Sequence, residues 1–264
     1  MGELIFIGLG LFDEKDITIK GLELAKSADK IYAEFYTGFL AGTNIRKIEE
    51  LVGKTITVLD RKSIEVNPEK TILKEAISGK VALLVVGDPM MATTHIDLRL
   101  RAHDMGIKTK VAHGPSIFSA APGIAGLQGY KFGKSVTIPF PEPGYFSETP
   151  YEIIKNNYPL HTLLLLDVKA EEQKIMTANE GLKILLKIEE ERKEKVLTEN
   201  RLAIVIAKAG SLEPIIKADY IKNLINGNFG PPPHVIIIPG QLHFMEAEAL
   251  VKIASAPREI LEKK

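Results

Sequence analysis

The chain has 264 residues, 45% hydrophobic and 26% charged, enough for one large domain or two of ordinary size, each with its own core. Lysine plus arginine and aspartate plus glutamate balance at 34 each, so no basic field holds nucleic acid without sequence specificity. Cysteine is absent, which excludes thiol catalysis, thiolate metal sites and disulfides, and apolar runs such as 163–166 and 235–238 are far too short to span a bilayer.

The opening run Leu4-Ile5-Phe6-Ile7 reads as a first strand, not as a leader with a basic segment and cleavage site, and a cytoplasmic protein is expected. It breaks into Gly8-Leu9-Gly10-Leu11 and then into a helical segment from Asp16, in which Leu22, Ala25 and Ala28 share one face. Further strands are expected at 30–35, 55–59, 81–86 and 109–113. Their aliphatic and β-branched content, without polar alternation, fits strands covered on both faces. The run at 81–86 stops at Gly87-Asp88-Pro89, and a helix over 94–105 follows, with Thr94 as cap, Asp97 at the capping-box position and Gly106 as the stop. Gly114-Pro115 marks a boundary. Residues 1–113 read as an N-terminal α/β domain and 114–264 as a C-terminal α/β domain, with a cleft between them.

Past that boundary, 116–127 is a small-residue-rich candidate helix containing Pro122, and strands are expected at 135–139, 163–168, 202–207 and 235–239. Residues 140–150, with Pro141, Pro143 and Pro150, read as a loop or arm with Tyr145 and Phe146 at its tip. The clearest helix is 177–196. Thr177 and Glu180 form a capping box, Leu182, Leu185, Leu186 and Ile188 supply the apolar face, and Glu189/Lys193 and Glu191/Lys195 are spaced to pair.

Glycine at a strand end is where a ligand can approach the backbone, and in open α/β sheets ligands sit outside the carboxyl ends of the strands. Gly8-Leu9-Gly10 is not a dinucleotide fingerprint, because the third small residue is replaced by Asp13, whose carboxylate opposes a pyrophosphate. No phosphate-cradling Gly-x-x-x-x-Gly-Lys-Ser/Thr loop exists either. The six histidines, 95, 103, 113, 161, 234 and 243, include no His-x-x-x-His pair, and no metal is expected. His95 and His103 read as helix-surface residues. His234, after Pro231-Pro232-Pro233, reads equally as a strand-start residue and as a ligand contact. Asp88, between Gly87 and the helix start at Thr93-Thr94, reads as ligand-facing. Lys208 reads as a solvent-facing strand-end lysine in preference to a Schiff-base amine, and neither Ser116 nor Ser119 lies in a nucleophile elbow.

The ordered set of motifs resembles a known family. Phe6-Ile7-Gly8-Leu9-Gly10-Leu11, Asp16-Ile17-Thr18-Ile19-Lys20-Gly21-Leu22 and Ala28-Asp29 are similar to the opening of the tetrapyrrole methylase superfamily, and Val86-Gly87-Asp88-Pro89 to its second motif. Within it the chain resembles the diphthine synthases end to end. Ala33-Glu34-Phe35-Tyr36-Thr37, Gly87-Asp88-Pro89-Met90-Met91-Ala92-Thr93-Thr94-His95, Pro115-Ser116-Ile117-Phe118-Ser119-Ala120, Ala207-Lys208-Ala209-Gly210-Ser211 and Pro232-Pro233-His234 carry the likeness.

The resemblance implies two α/β domains with S-adenosyl-L-methionine folded in the cleft between them and S-adenosyl-L-homocysteine as product. The cofactor contacts it implies are Leu11, Asp88, Met91, Ser116, Ile117, Leu166, Ala209 and His234, with Met91 where the family has an aliphatic residue. It also implies a homodimer and a protein substrate, translation elongation factor 2; the small-residue stretch 116–127 or its neighbours is expected to contribute to the dimer contact. The amino group of that factor's aminocarboxypropyl-modified histidine would be N-methylated. No general base is identified by the sequence. The competing readings are a corrin-precursor or rRNA-ribose methyltransferase of the same superfamily, and a non-catalytic module that binds adenosyl ligands.

Overall fold

In the computed structural model, which describes residues 2–169, 172 and 174–262, the first sheet is built from the apolar runs of the amino-terminal half. Its strands are β1 (Glu3–Gly8), β2 (Lys30–Glu34), β3 (Thr57–Leu59), β4 (Lys80–Val85) and β5 (Lys108–Ala112). All pairings are parallel, in the order β3-β2-β4-β1-β5. Successive side chains of a strand face opposite ways. Leu4 and Phe6 therefore join Val81, Leu83 and Val85 on one face, while Ile5 and Ile7 join Ala82 and Leu84 on the other. Both faces are covered, which is why these strands read as unbroken apolar runs. On the Ile5/Ile7 face lie α1 (Ile19–Ser27), capped by Thr18, and α2 (Ile45–Val52), capped by Asn44. On the Leu4/Phe6 face lie α3 (Ile72–Ala76) and α4 (His95–Asp104).

Thr94 does not cap α4 through its side chain. Its backbone is not extended (φ −92°, ψ 4°), and its hydroxyl donates to Glu65 Oε1 at 2.8 Å. A side-chain cap needs an extended residue whose oxygen faces the first-turn N–H groups, and this backbone does not provide it.

The chain divides into two compact units at Ile117/Phe118. The second begins in α5 (Ile117–Ala125), which keeps Pro122 inside it, and continues through β6 (Val136–Ile138), α6 (Thr149–Asn157), β7 (Thr162–Leu166), β8 (Val168–Lys169), β9 (Lys174–Ile175), α7 (Ala178–Arg192), β10 (Leu202–Ala207), β11 (Ile215–Tyr220), α8 (Ile221–Leu224), β12 (His234–Ile238) and α9 (Phe244–Ile253). The main sheet has the order β11-β10-β12-β7-β6, antiparallel except for the β6/β7 pair, and β8 and β9 form a separate small ribbon. The apolar face of α7, Leu182, Leu185 and Ile188, packs on Ile138, Leu164, Val205 and Ile236.

Residues 140–148 form the expected loop, and it is held down along its length. Phe140 is buried, Glu142 and Tyr145 exchange backbone hydrogen bonds of 3.0 Å around Gly144, Phe146 packs on the core beneath Lys187, and Thr149 already starts α6 with Pro150 in its first turn. At its tip Tyr145 is exposed and Phe146 half-buried. α7 stops at Arg192, where Lys193 turns left-handed (φ +57°), so the Glu189/Lys193 and Glu191/Lys195 spacing is lost. Glu189 instead accepts the N–H groups of Lys195 and Leu197 and the Tyr151 hydroxyl.

Candidate active site

In the first unit β4, β1 and β5 are neighbours, so their carboxyl ends lie side by side. The connection leaving β1 enters α1 on one face and that leaving β4 enters α4 on the other. Where connections part in this way, an open sheet has its binding crevice. The three turns there touch through glycine. A Cβ on Gly8 would lie 2.5 Å from the Gly87 carbonyl oxygen and 2.6 Å from the Gly114 nitrogen, and one on Gly114 would lie 2.7 Å from that same Gly87 oxygen. Gly10 and Gly87 exchange backbone hydrogen bonds of 2.7 and 3.3 Å. The expectation that these glycines admit a ligand is thus corrected: at Gly8, Gly10 and Gly114 neighbouring chain fills the space, and at Gly87 alone a Cβ would meet nothing within 4 Å.

Side chains then fix the turns. Asp16 Oδ2 accepts the N–H groups of Leu11 (3.1 Å) and Phe12 (2.7 Å), which shapes the turn after β1. Asp88 is buried. Its Oδ1 accepts the Met90 N–H at 2.9 Å, and its Oδ2 accepts from His113 Nδ1 at 2.7 Å. His113 directly follows β5 and its ring is largely exposed. The Pro89 carbonyl accepts from the Thr93 hydroxyl and from His95 Nδ1, and Met91 is 42% exposed. Ser116 is nearly buried and Ile117 opens α5. Leu11, Asp88, Met91, Ser116 and Ile117 therefore come from turns after three adjacent strands.

In the second unit Ala207, the last residue of β10, pairs with His234, the first of β12. Ala209 follows β10 between two left-handed residues, Lys208 (φ +53°) and Gly210 (φ +90°). The β12/β7 register, Ile236 opposite Leu164, continues to set Leu166 opposite His234. All three expected contacts of this unit thus share one end of the sheet. His234 Nδ1 accepts the Ala178 N–H at 3.2 Å, so the neutral ring carries its proton on Nε2. Burial pushes the His234 pKa down, against the backbone carbonyls of Gly230, Pro231 and Phe229, and favours that neutral form. Nε2 is buried without a hydrogen-bond partner. A buried donor without an acceptor costs about 1–3 kcal/mol, which a ligand acceptor would recover.

The comparisons with known proteins bear on the whole chain. A model of the tetrapyrrole (corrin/porphyrin) methylases matches residues 3–222. The diphthine synthase of Methanococcus maripaludis (strain C7) is 53% identical over 249 residues, 94% of this chain and 97% of its own. That of Methanococcus vannielii is 53% identical with the same coverage. The chain belongs to the diphthine synthase family of tetrapyrrole methylases. A crystal structure of a diphthine synthase superposes with a TM-score of 0.89 at 40% identity, covering 98% of this chain and 99% of that one. The chain is accordingly an S-adenosylmethionine-dependent methyltransferase of diphthamide biosynthesis, with the tetrapyrrole methylase fold.

Membership in this family gives the polar inventory a purpose. In the first unit the Asp88 carboxylate and the open side of Gly87 are groups a ligand can use, and in the second the His234 Nε2–H is a donor. No three His, Cys, Asp or Glu side chains gather as a metal site among the described residues, and no helix there is long and apolar enough to cross a membrane.

Several working residues escaped the sequence reading. His113 and Asp16 hold the turns that carry Asp88 and Leu11, and each sits within a few residues of a glycine-punctuated strand end, which is the signal that marks them. His95, expected on a helix surface, is fully buried. Its position at the start of α4, beneath the turn it bonds, turns it inward.

Proposed function

We propose that this methyltransferase N-methylates the amino group of the aminocarboxypropyl-modified histidine of translation elongation factor 2, yielding diphthine. The observation that carries the acceptor's identity is the likeness to diphthine synthases over nearly the full length of both chains. On this reading the residues that contact S-adenosyl-L-methionine are Leu11, Asp88, Met91, Ser116, Ile117, Leu166, Ala209 and His234.

The methyl donor supplies an activated methyl on a sulfonium; the chain supplies alignment and exclusion of water. Charge passes from sulfur to nitrogen in the transfer, so no oxyanion hole is needed. Asp88 is already oriented by Met90 and His113, and its carboxylate has lone pairs left for donors on the ligand. Neutral His234 presents an N–H and is no proton acceptor at Nε2. The amine sheds its proton before each attack, and water is an adequate acceptor for an exposed amine. The enzyme works as a homodimer on a cytoplasmic factor. The exposed side of α5 at Gly123, where a Cβ would meet no neighbour, is a face on which a second copy can approach closely.

The test offers labelled cofactor and two forms of elongation factor 2, unmodified and precursor-bearing, with peptide mass spectrometry of the product. A gain of about 14 daltons per transfer on the precursor-bearing form alone is expected, one CH₂ each. Equal labelling of both forms, or labelling on the imidazole ring, overturns the acceptor.

A further inference from the structure

One buried pair in the first unit lies beneath the Asp88 turn without facing its open side. Glu34 ends β2 and His95 opens α4, and neither side chain is exposed. Glu34 Oε2 accepts the N–H groups of Tyr36 and Thr37 at 3.1 Å each, and Oε1 accepts the Thr37 hydroxyl. His95 Nδ1 lies 3.0 Å from the Pro89 carbonyl oxygen. A carbonyl only accepts, so Nδ1 carries the proton. His95 Nε2 has no hydrogen bond and lies 3.8 Å from Glu34 Oε1. Two lone pairs cannot face each other in a dry core at no cost. A proton retained by the pair, on carboxyl or imidazole, removes the conflict. Burial, the dominant influence on Glu34, raises its pKa and so favours keeping that proton.

Apolar side chains would fill this space with less penalty. What an apolar pair cannot do is hold the Pro89 carbonyl. That oxygen follows Asp88 directly, and it is gripped from two sides, by His95 Nδ1–H and by the Thr93 hydroxyl at 2.9 Å. The same turn is closed by the Met90 and Met91 N–H groups on Asp88 Oδ1 and O.

We propose that His95, buried beside Glu34, is a positioning residue for the methyl-donor site: by bonding the Pro89 carbonyl it sets the Asp88–Met91 turn and hence the direction of the Asp88 carboxylate. The proposal rests on the assignment of Asp88 and Met91 to the donor.

Two polar variants of His95 discriminate. In His95→Asn the amide nitrogen stands where Nδ1 does and keeps the bond to Pro89. In His95→Gln the amide reaches only the Nε2 position and loses that bond. Calorimetry with S-adenosyl-L-homocysteine is expected to give His95→Asn and Glu34→Gln affinities within about threefold of the parent and His95→Gln about tenfold weaker, the scale of one lost hydrogen bond. The KM for precursor-bearing elongation factor 2 should not move in any of them. Hydrogen exchange of the ligand-free protein should show faster exchange at the Met90 and Met91 amides in His95→Gln only. If the two His95 variants bind alike and protect those amides alike, the proposal is overturned. If the parent itself fails to bind S-adenosyl-L-homocysteine, the donor assignment falls, and the exchange arm still decides whether His95 sets the turn.

Discussion

Each unit buries one glutamate beside one histidine, and the two pairs differ in what surrounds them. Glu246 of the second unit is saturated. Its Oε1 accepts from Gln128 N–H and His161 Nε2, and its Oε2 from Lys131 Nζ and His243 N–H, at 2.5 to 3.0 Å. Burial pushes its pKa up, yet the Lys131 ammonium, the two backbone N–H groups and His161 together hold it at about 2. Glu34 of the first unit has two N–H groups and a hydroxyl but no lysine or arginine bonded to it, and burial prevails, raising its pKa. The same residue types thus make a permanent ion in one place and a proton-holding pair in the other. Counting donors on the carboxylate, and asking whether one of them is a cation, separates an anchor from a group that retains a proton.

The hardest blow to the saturated pair is Glu246→Ala. It strands the Lys131 ammonium, the His161 N–H and two backbone donors, and a loss of about 3–5 kcal/mol in unfolding free energy is expected by urea titration. Unfolding as a function of pH tests the sign of the contrast. Glu246 is depressed below its ordinary value of 4.5, so its contribution is complete above about pH 4.5 and is lost as pH falls toward 2, by about 3 kcal/mol. His161, pushed down by burial, adds to that acid loss below about pH 6.5, since the unfolded chain takes the proton first. Glu34 works the other way: its contribution is present below its unfolded pKa and fades as pH rises through the raised folded one. An acid limb that survives Glu246→Gln unchanged would break the comparison.

Binding separates the pairs by role. Asp88→Ala, at the turn beneath which His95 sits, should weaken S-adenosyl-L-homocysteine by about 1–3 kcal/mol with the fold intact. His161→Asn should lower stability and leave that affinity unchanged, because His161 bonds Gly240 beyond the end of β12 opposite His234. Calorimetry beside thermal unfolding checks both. The smallest effect belongs to Glu34→Gln. Its amide N–H supplies the donor that His95 Nε2 lacks, and stability should stay within about 1 kcal/mol of the parent at neutral pH. A loss like that of Glu246→Ala would show that Glu34 is also an anchor.

Legibility in the sequence followed physical form. Strands β1, β4, β10 and β12 announce themselves as continuous apolar runs, and Thr177/Glu180 marks the start of α7 with the full capping box in place. Strand direction does not show in such runs, so the antiparallel pairings of the second sheet were invisible. β11 was missed because, as an edge strand, Ile215 to Tyr220 mixes Lys217 and Asp219 with apolar residues. Prolines 141, 143 and 150 suggested a loop, whereas Pro150 begins a helix, a position that suits its fixed φ and missing N–H. At the candidate site the motif residues were legible by likeness and by glycine punctuation. His113 was not, because it bonds Asp88 of another turn and only the register of the sheet brings the two together; Asp16 and His95 bond turns four to six residues away, a spacing that no capping or turn motif marks.

The contact among Gly8, Gly87 and Gly114 has a consequence for anyone who wishes to redesign this enzyme. Three turns far apart in the chain share one interlock, so they behave as a single cassette. A library that varies Leu11, Met91 and Ile117 around the fixed glycines samples new ligand surfaces on an unchanged frame. A graft that imports one turn from a distant relative, with any side chain at an interlocking glycine, forces the other two out of place. Recombination between relatives should therefore tolerate crossovers before residue 8 or after residue 114, and reject those that fall between.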